Sequence, residues 1–227
     1  VDVPVDASAL DLYGRYLVDH VNTAVTRPDF PTAARILRAF WQRDIDPGPV
    51  DAVISVDPLA LSRILRATGP VDVNDIEINA DNAVRILLSD SYAWWDPSKG
   101  PEEQAASDGF FEAVARGVFA RVASGSFDIQ TMISGVRDSI DAGSIMIWSD
   151  DPEIAPLVSG QRVAGALPTD NSDATTVGVF FRDSSEAKID YYMASAVSVS
   201  GTCVDGTGSF AVDARLHLDL TTQDALA

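Results

Sequence analysis

Few residues in this sequence are placed to do chemistry. Of its two histidines, His20 falls on the polar side of a helical repeat and His217 on the polar side of an alternating run. Neither has a cysteine, carboxylate or second histidine at metal-ligand spacing, so no zinc pattern is present. The single cysteine, Cys203, shares the apolar side of its run, which predicts a buried, unreactive thiol rather than a nucleophile. No Gly-x-Ser-x-Gly elbow, phosphate loop or dinucleotide turn occurs. Two constellations remain. Asp51 and Asp57 flank a β-branched run, and paired carboxylates could do acid–base work if they faced one cleft. The competing reading makes Asp57 the N-cap of the helix that follows. Tyr92, Trp94, Trp95 and Asp96 close a helix before a polar stretch, where aromatics beside a carboxylate could stack on a sugar ring or a prenyl chain. The competing reading has the tryptophans plug the edge of the core. No metal and no cofactor is expected from these residues.

The elements that must position these residues follow from periodicity. Leu10, Tyr13, Leu17 and Val21 recur at helical spacing, as do Ile36, Leu37, Phe40 and Trp41 after Pro31. After the breaker Asp46-Pro47-Gly48-Pro49, residues 50–56 read as a buried strand. Asp57-Pro58 starts a helix carrying Leu61, Ile64 and Leu65, and Gly69-Pro70 ends it. Asn79 or Asp81 caps a helix through Val84, Leu87 and Leu88 into the aromatic cluster, and residues 96–108 read as a polar loop. Stripes from Phe110 to Val122 and from Ile129 to Ile140 predict two core helices. Ile145-Met146-Ile147-Trp148 predicts a short strand, and residues 150–158 a short helix. From Thr169 the period becomes two, through Val177, Val179 and Phe181, then Ile189 to Cys203, then Val212 to Leu220, with Asp205-Gly206 as a hairpin turn. The expected class is α/β, a mixed sheet core packed with several helices over 1–168, followed by an antiparallel β-hairpin region over 169–227. That second region is small for an independent domain, so it either packs on the first or continues past Ala227.

Charge narrows the partners. With 34 acidic against 16 basic side chains, the net charge is -18 and the pI about 4.2. Nucleic acid and anionic lipid are repelled at long range, and nucleic-acid binding is excluded on that ground. The carboxylates are spread along the chain, as on a solvated surface, rather than clustered as divalent cations require. A hydrophobic content of 46% and a mean hydropathy of +0.07 are those of a folded domain. No stretch approaches the roughly 18 apolar residues of a membrane-spanning helix. Because the chain opens on Val1 rather than Met, an upstream signal or anchor is expected. One cysteine leaves the redox compartment unread.

The run Val50-Asp51-Ala52-Val53-Ile54-Ser55-Val56-Asp57-Pro58-Leu59-Ala60-Leu61, followed by Thr68-Gly69-Pro70-Val71, resembles the bacterial family labelled domain of unknown function 4012. So do Asp29-Phe30-Pro31-Thr32-Ala33-Ala34, Ala80-Asp81-Asn82-Ala83-Val84, Gly165-Ala166-Leu167-Pro168 and Lys188-Ile189-Asp190-Tyr191-Tyr192, a likeness over most of the chain. The resemblance implies an extracytoplasmic protein, membrane-anchored in its full-length form. More weakly, the strand-helix-glycine unit is similar to the LytR-CpsA-Psr phosphotransferases, which hold a polyprenyl pyrophosphate with clustered arginines and a divalent cation. Residues 87–111, which correspond to that cluster, contain no arginine; Arg85 and Arg116 flank the segment and Lys99 lies in it. The expectation is therefore a non-catalytic cell-envelope module that binds or scaffolds an envelope component, its ligand a cell-wall glycan or a polyprenyl-linked molecule. The alternative is a transferase or hydrolase acting on such substrates through Asp51, Asp57, Arg85 or Arg116, with magnesium. Oligomeric state is left open.

Overall fold

Aspartates set the helix starts. In the computed structural model, which describes residues 3–95, 99–172, 175–182, 189–204 and 207–219, the chain begins with α1 (Ala7–Tyr13), α2 (Tyr16–Asp19), a 3₁₀ turn (Val21–Thr26) and α3 (Phe30–Asp44). Strand β1 (Val53–Val56), α4 (Pro58–Thr68), β2 (Val71–Val73) and β3 (Ile76–Ile78) follow. Next come α5 (Ala83–Arg85), a π-helical turn (Ile86–Asp90), α6 (Ser91–Trp94), α7 (Pro101–Ala123), α8 (Ile129–Asp141), β4 (Ile145–Trp148) and α9 (Ala155–Val158). The carboxylates of Asp6, Asp29, Asp57 and Asp128 accept the backbone N–H three residues on, from Ala9 (2.8 Å), Thr32 (3.1 Å), Ala60 (2.8 Å) and Thr131 (2.7 Å). Each cap satisfies an orphan donor and complements the helix dipole, a contribution of about 1 kcal/mol apiece.

The chain divides into two compact units, residues 1–84 with 109–176 and residues 85–108 with 177–227. In the first, α3 is buried on two sides. Ile36 and Phe40 pack with Ala9, Leu17 and Ala24, while Phe30, Ala33 and Ala34 pack on Trp148. The outer side of the Trp148 ring carries the Arg38 guanidinium at 4.7 Å, and Arg38 is in turn paired with Asp150. Strand β1 pairs antiparallel with β4, Val53 opposite Trp148 and Val56 opposite Ile145. A two-residue turn at Asn74 and Asp75, with φ of 51° and 62°, joins β2 to β3. Both residues are left-handed, as a type I′ hairpin requires, and Asn and Asp tolerate that conformation best after Gly.

The α/β class holds, with a difference in the sheet. Among the described residues the strands form three separate antiparallel pairs; one is the expected C-terminal hairpin, and the other two stand where a mixed sheet core is expected. Strand β1, expected to be buried, leaves Ile54 61% exposed. Residues 96–108 are not a loop throughout, because α7 begins at Pro101. Its start has a legible signal, a proline at the first position with Glu102 and Glu103 beside the positive helix end. The two expected core helices bury narrower stripes than predicted. Phe110, Val114 and Val118 are buried, whereas Phe119, Ile129 and Ile133 face solvent.

The second unit contains the π-helical turn, α6, a 3₁₀ turn (Ile189–Tyr192), β5 (Met193–Val204) and β6 (Thr207–Leu218). The Tyr192 hydroxyl lies 2.7 Å from the Ser89 hydroxyl and links the π-helical turn to the start of the hairpin. The β5–β6 register, Met193 opposite Leu218 and Val199 opposite Val212, puts the two apolar sets on one face, as alternation predicts. That face is exposed, and Cys203 is exposed with it rather than buried. A period of two assigns faces but cannot say whether a second layer covers one. Residues 175–182 form no strand among the described residues, although Val177, Val179 and Phe181 alternate. The Asp205-Gly206 turn, Lys188 and Leu220 lie outside the described residues. Among the described residues, no helix is long and apolar enough to cross a membrane.

Candidate functional site

Helices α4 and α8 lie antiparallel, tied at three levels. Near the C-terminus of α4, the Asp128 N–H donates to the Ala67 carbonyl (3.2 Å); near its N-terminus, the Asp57 N–H donates to the Ser144 carbonyl (3.1 Å). Between them, residue 135 is glycine, and a Cβ there would stand 3.2 Å from the Arg63 Cβ and 3.3 Å from the Arg63 carbonyl oxygen. The absence of that carbon lets the helices approach closely. One turn on, Ser139 is fully buried; its hydroxyl donates to the Gly135 carbonyl (2.6 Å) and accepts from Arg63 Nη1 (3.3 Å).

Beside this contact the helices leave an open groove of about 590 Å³, a volume within the range of small-molecule sites. Arg63 and Arg66 line it from α4; Gln130, Thr131, Ser134 and Asp138 line it from α8. Arg66 reaches Asp81 at 3.3 Å, an exposed pair of the weak kind. Thr131, through its side chain first and its backbone N–H second, holds the Asp128 carboxyl below the usual carboxylate range. Guanidinium, amide and hydroxyl groups suit this groove to binding, and Asp138 is the one carboxylate among its seven polar residues.

Two of the stretches that carry the sequence resemblance, residues 29–34 and 165–168, also meet in the first unit. The Phe30 N–H donates to the Gly165 carbonyl (3.0 Å), and the Leu167 N–H to Asp29 Oδ1 (3.1 Å). Asp29 thus caps α3 with one oxygen and clamps residue 167 with the other. Burial pushes its carboxyl up, but hydrogen bonds from Thr32 and Leu167 outweigh that and hold it below the usual range. Gly165 has a left-handed φ of 57°, and a Cβ there would lie 2.5 Å from Met146 Sδ and 2.9 Å from Phe30 Cβ.

Residues 2–92 match the family model described as a protein of unknown function, DUF4012. The DUF4012 match takes in residues 29–34, 50–61, 68–71 and 80–84, and with them α4 and both groove arginines. The likeness at 165–168 and 188–192, and α8 itself, lie beyond it. No curated protein and no solved structure matches the chain.

Within the DUF4012 segment, Asp57 is the cap of α4, and Asp51 is exposed at the opposite end of β1, its backbone carbonyl accepting the Ser149 hydroxyl. The two aspartates are six residues apart along an extended run, a span of up to roughly 20 Å. Arg85 pairs with Asp90 across the π-helical turn in the second unit. Arg116, in the first, pairs with Glu112 one turn earlier on α7. Trp94 and Trp95 are in edge contact, centroids 5.6 Å apart at 89°, with Trp94 41% exposed. Burial pushes the neighbouring Tyr92 hydroxyl up. Asp96 lies outside the described residues. Among the described residues, no group of three or more His, Cys, Asp or Glu could hold a metal ion. The groove itself is absent from the sequence reading. Its signals were there: Gly135 inside a helical apolar pattern, and two arginines three residues apart on the polar side of α4.

Proposed function

We propose that this protein is a non-catalytic binding module of the bacterial cell envelope, and that it holds an envelope component in the groove between α4 and α8. The chemistry of the groove carries the binding reading, since guanidinium, amide and hydroxyl groups converge on a space of ligand size. The extracytoplasmic setting, and an anchor in the full-length protein, rest on the likeness to DUF4012. The transferase or hydrolase alternative draws on Asp51, Asp57, Arg85 or Arg116, and of these the Asp57 carboxylate is engaged in capping α4 while Arg85 and Arg116 are paired with Asp90 and Glu112. Withdrawing the Asp57 cap would cost about 1 kcal/mol of stability.

A thermal-shift titration tests the reading, with cell-wall glycan fragments and a polyprenyl pyrophosphate analogue, each with and without magnesium. One of these ligands is expected to raise Tm, by the equivalent of about 2.7 kcal/mol at a hundredfold excess over Kd. Arg66→Ala should remove that rise, and chromatography should return the ligand unchanged. A new product would reinstate the transferase or hydrolase. Silence from every ligand would defeat the binding reading, and a rise lost in Trp94→Ala but kept in Arg66→Ala would move the site to the aromatic pair.

A further inference from the structure

We infer that the α4–α8 groove is an oxyanion site, in which Arg63 and Arg66 grip one phosphate or carboxylate group of the bound molecule; this rests on the binding reading above. The argument begins with charge. Acidic side chains outnumber basic ones by 34 to 16 in this chain, so a half-buried guanidinium should easily find a carboxylate. Arg63 has not done so. Its hydrogen bond goes to the neutral Ser139 hydroxyl (3.3 Å), and none of the ion pairs among the described residues uses it. The fold has left Arg63 without an ion pair on the wall of a groove.

Geometry adds orientation. Ser139 is itself fixed by the Gly135 carbonyl at 2.6 Å, so the hydroxyl that meets Arg63 holds one edge of its fork in place. A guanidinium has five donors in a rigid plane, and the remainder match the paired oxygens of a carboxylate or phosphate. Arg66, three residues on, lines the same groove from the same helix face. Its exposed contact with Asp81 exchanges readily for a better-placed anion. Gln130 and Ser134 add neutral hydrogen-bonding groups from the facing helix. Asp138 precedes Ser139, the partner of Arg63, and so puts a carboxylate at the Arg63 end of the groove, which disfavours a second negative charge there. The groove therefore suits one oxyanion held by the two guanidiniums.

An NMR titration of the full chain, labelled at the arginine side chains, tests this with inorganic phosphate in one arm and acetate in the other. Saturable shifts are expected at the Nε–H signals of Arg63 and Arg66, with a Kd on the order of 1 mM for the bare ion. A response to phosphate alone identifies a phosphate group as the source, to acetate alone a carboxylate, and to both the shared oxyanion chemistry. Arg63→Gln should weaken binding roughly tenfold to a hundredfold, the range of a charge-assisted hydrogen bond. Arg63→Lys should recover little of it, because a point charge does not reproduce the fork. Asp81→Asn should tighten binding by releasing Arg66. Arg66→Gln and Asp81→Asn alter exposed side chains, so they decide the matter even if a change at Arg63 perturbs folding. Absence of saturable shifts with either ion overturns the inference, as does wild-type binding in both glutamine variants. A Tm rise with a neutral glycan beside silence from both ions would overturn the oxyanion site yet leave the binding reading standing.

Discussion

Replacing Gly135 by alanine isolates the contact on which the groove depends. In an exposed helix interior, Gly→Ala gains about 1 kcal/mol, from backbone entropy lost on folding and from helix propensity. Gly109, inside α7, is such a position, because a Cβ there would meet nothing within 4 Å. At Gly135 the same gain is opposed by a Cβ at 3.2 Å from the Arg63 Cβ and 3.3 Å from its carbonyl oxygen. Two of the three nearest atoms are backbone of α4, which cannot swing aside like the tip of a side chain, so one helix must move by a few tenths of an ångström. Overpacking of this kind costs about 1–3 kcal/mol. Gly109→Ala should therefore stabilise by about 1 kcal/mol, and Gly135→Ala should end between neutral and about 2 kcal/mol destabilised. The two variants should differ in Tm by several degrees, at about 2–4 °C per kcal/mol for a chain of this size. Urea unfolding is the sharper assay, because a stability change moves the midpoint and leaves the slope alone. If Gly135→Ala stabilises as much as Gly109→Ala, α4 and α8 do not approach as closely as described, and the fixed orientation of Arg63 loses its basis.

Three further predictions concern the clamp between Asp29 and residues 165–167. Asp29→Ala removes the cap of α3 and the exposed hydrogen bond from the Leu167 N–H, so a loss of about 1–2 kcal/mol in urea unfolding is expected. Because the folded pKa of Asp29 is depressed, its contribution is fully present above the unfolded value near 3.8 and disappears as pH falls through the lower folded value. Acid titration of wild type against Asp29→Asn should show the extra pH dependence in the wild type alone; parallel curves would refute the assignment. Gly165→Ala meets Met146 Sδ at 2.5 Å and Phe30 Cβ at 2.9 Å in a left-handed conformation, so it should destabilise by more than the roughly 1 kcal/mol of backbone strain alone. A midpoint unchanged from wild type would show that the loop is free to move away.

What could be read from the sequence was what depends on near neighbours. Asp57-Pro58 announces a helix because the cap bond spans only three residues, and it forms here at 2.8 Å. The hairpin of β5 and β6 and its apolar side are likewise local in origin, whereas the exposure of Cys203 depends on whether another layer covers that side. The groove belongs to the second kind. Arg63 and Ser139 are 76 residues apart, and nothing in the neighbourhood of either residue states that they meet. Gly135 is the residue of α8 at which the meeting leaves a trace. By propensity alone it is a defect in α8, costing about 1 kcal/mol against alanine. By packing it is what admits the backbone of α4, seats Ser139 against Arg63 and leaves that guanidinium half-buried without a carboxylate. A helix-weakening glycine opposite an unpaired arginine costs stability on both counts, and a bound anion that neutralises the arginine would offset the second.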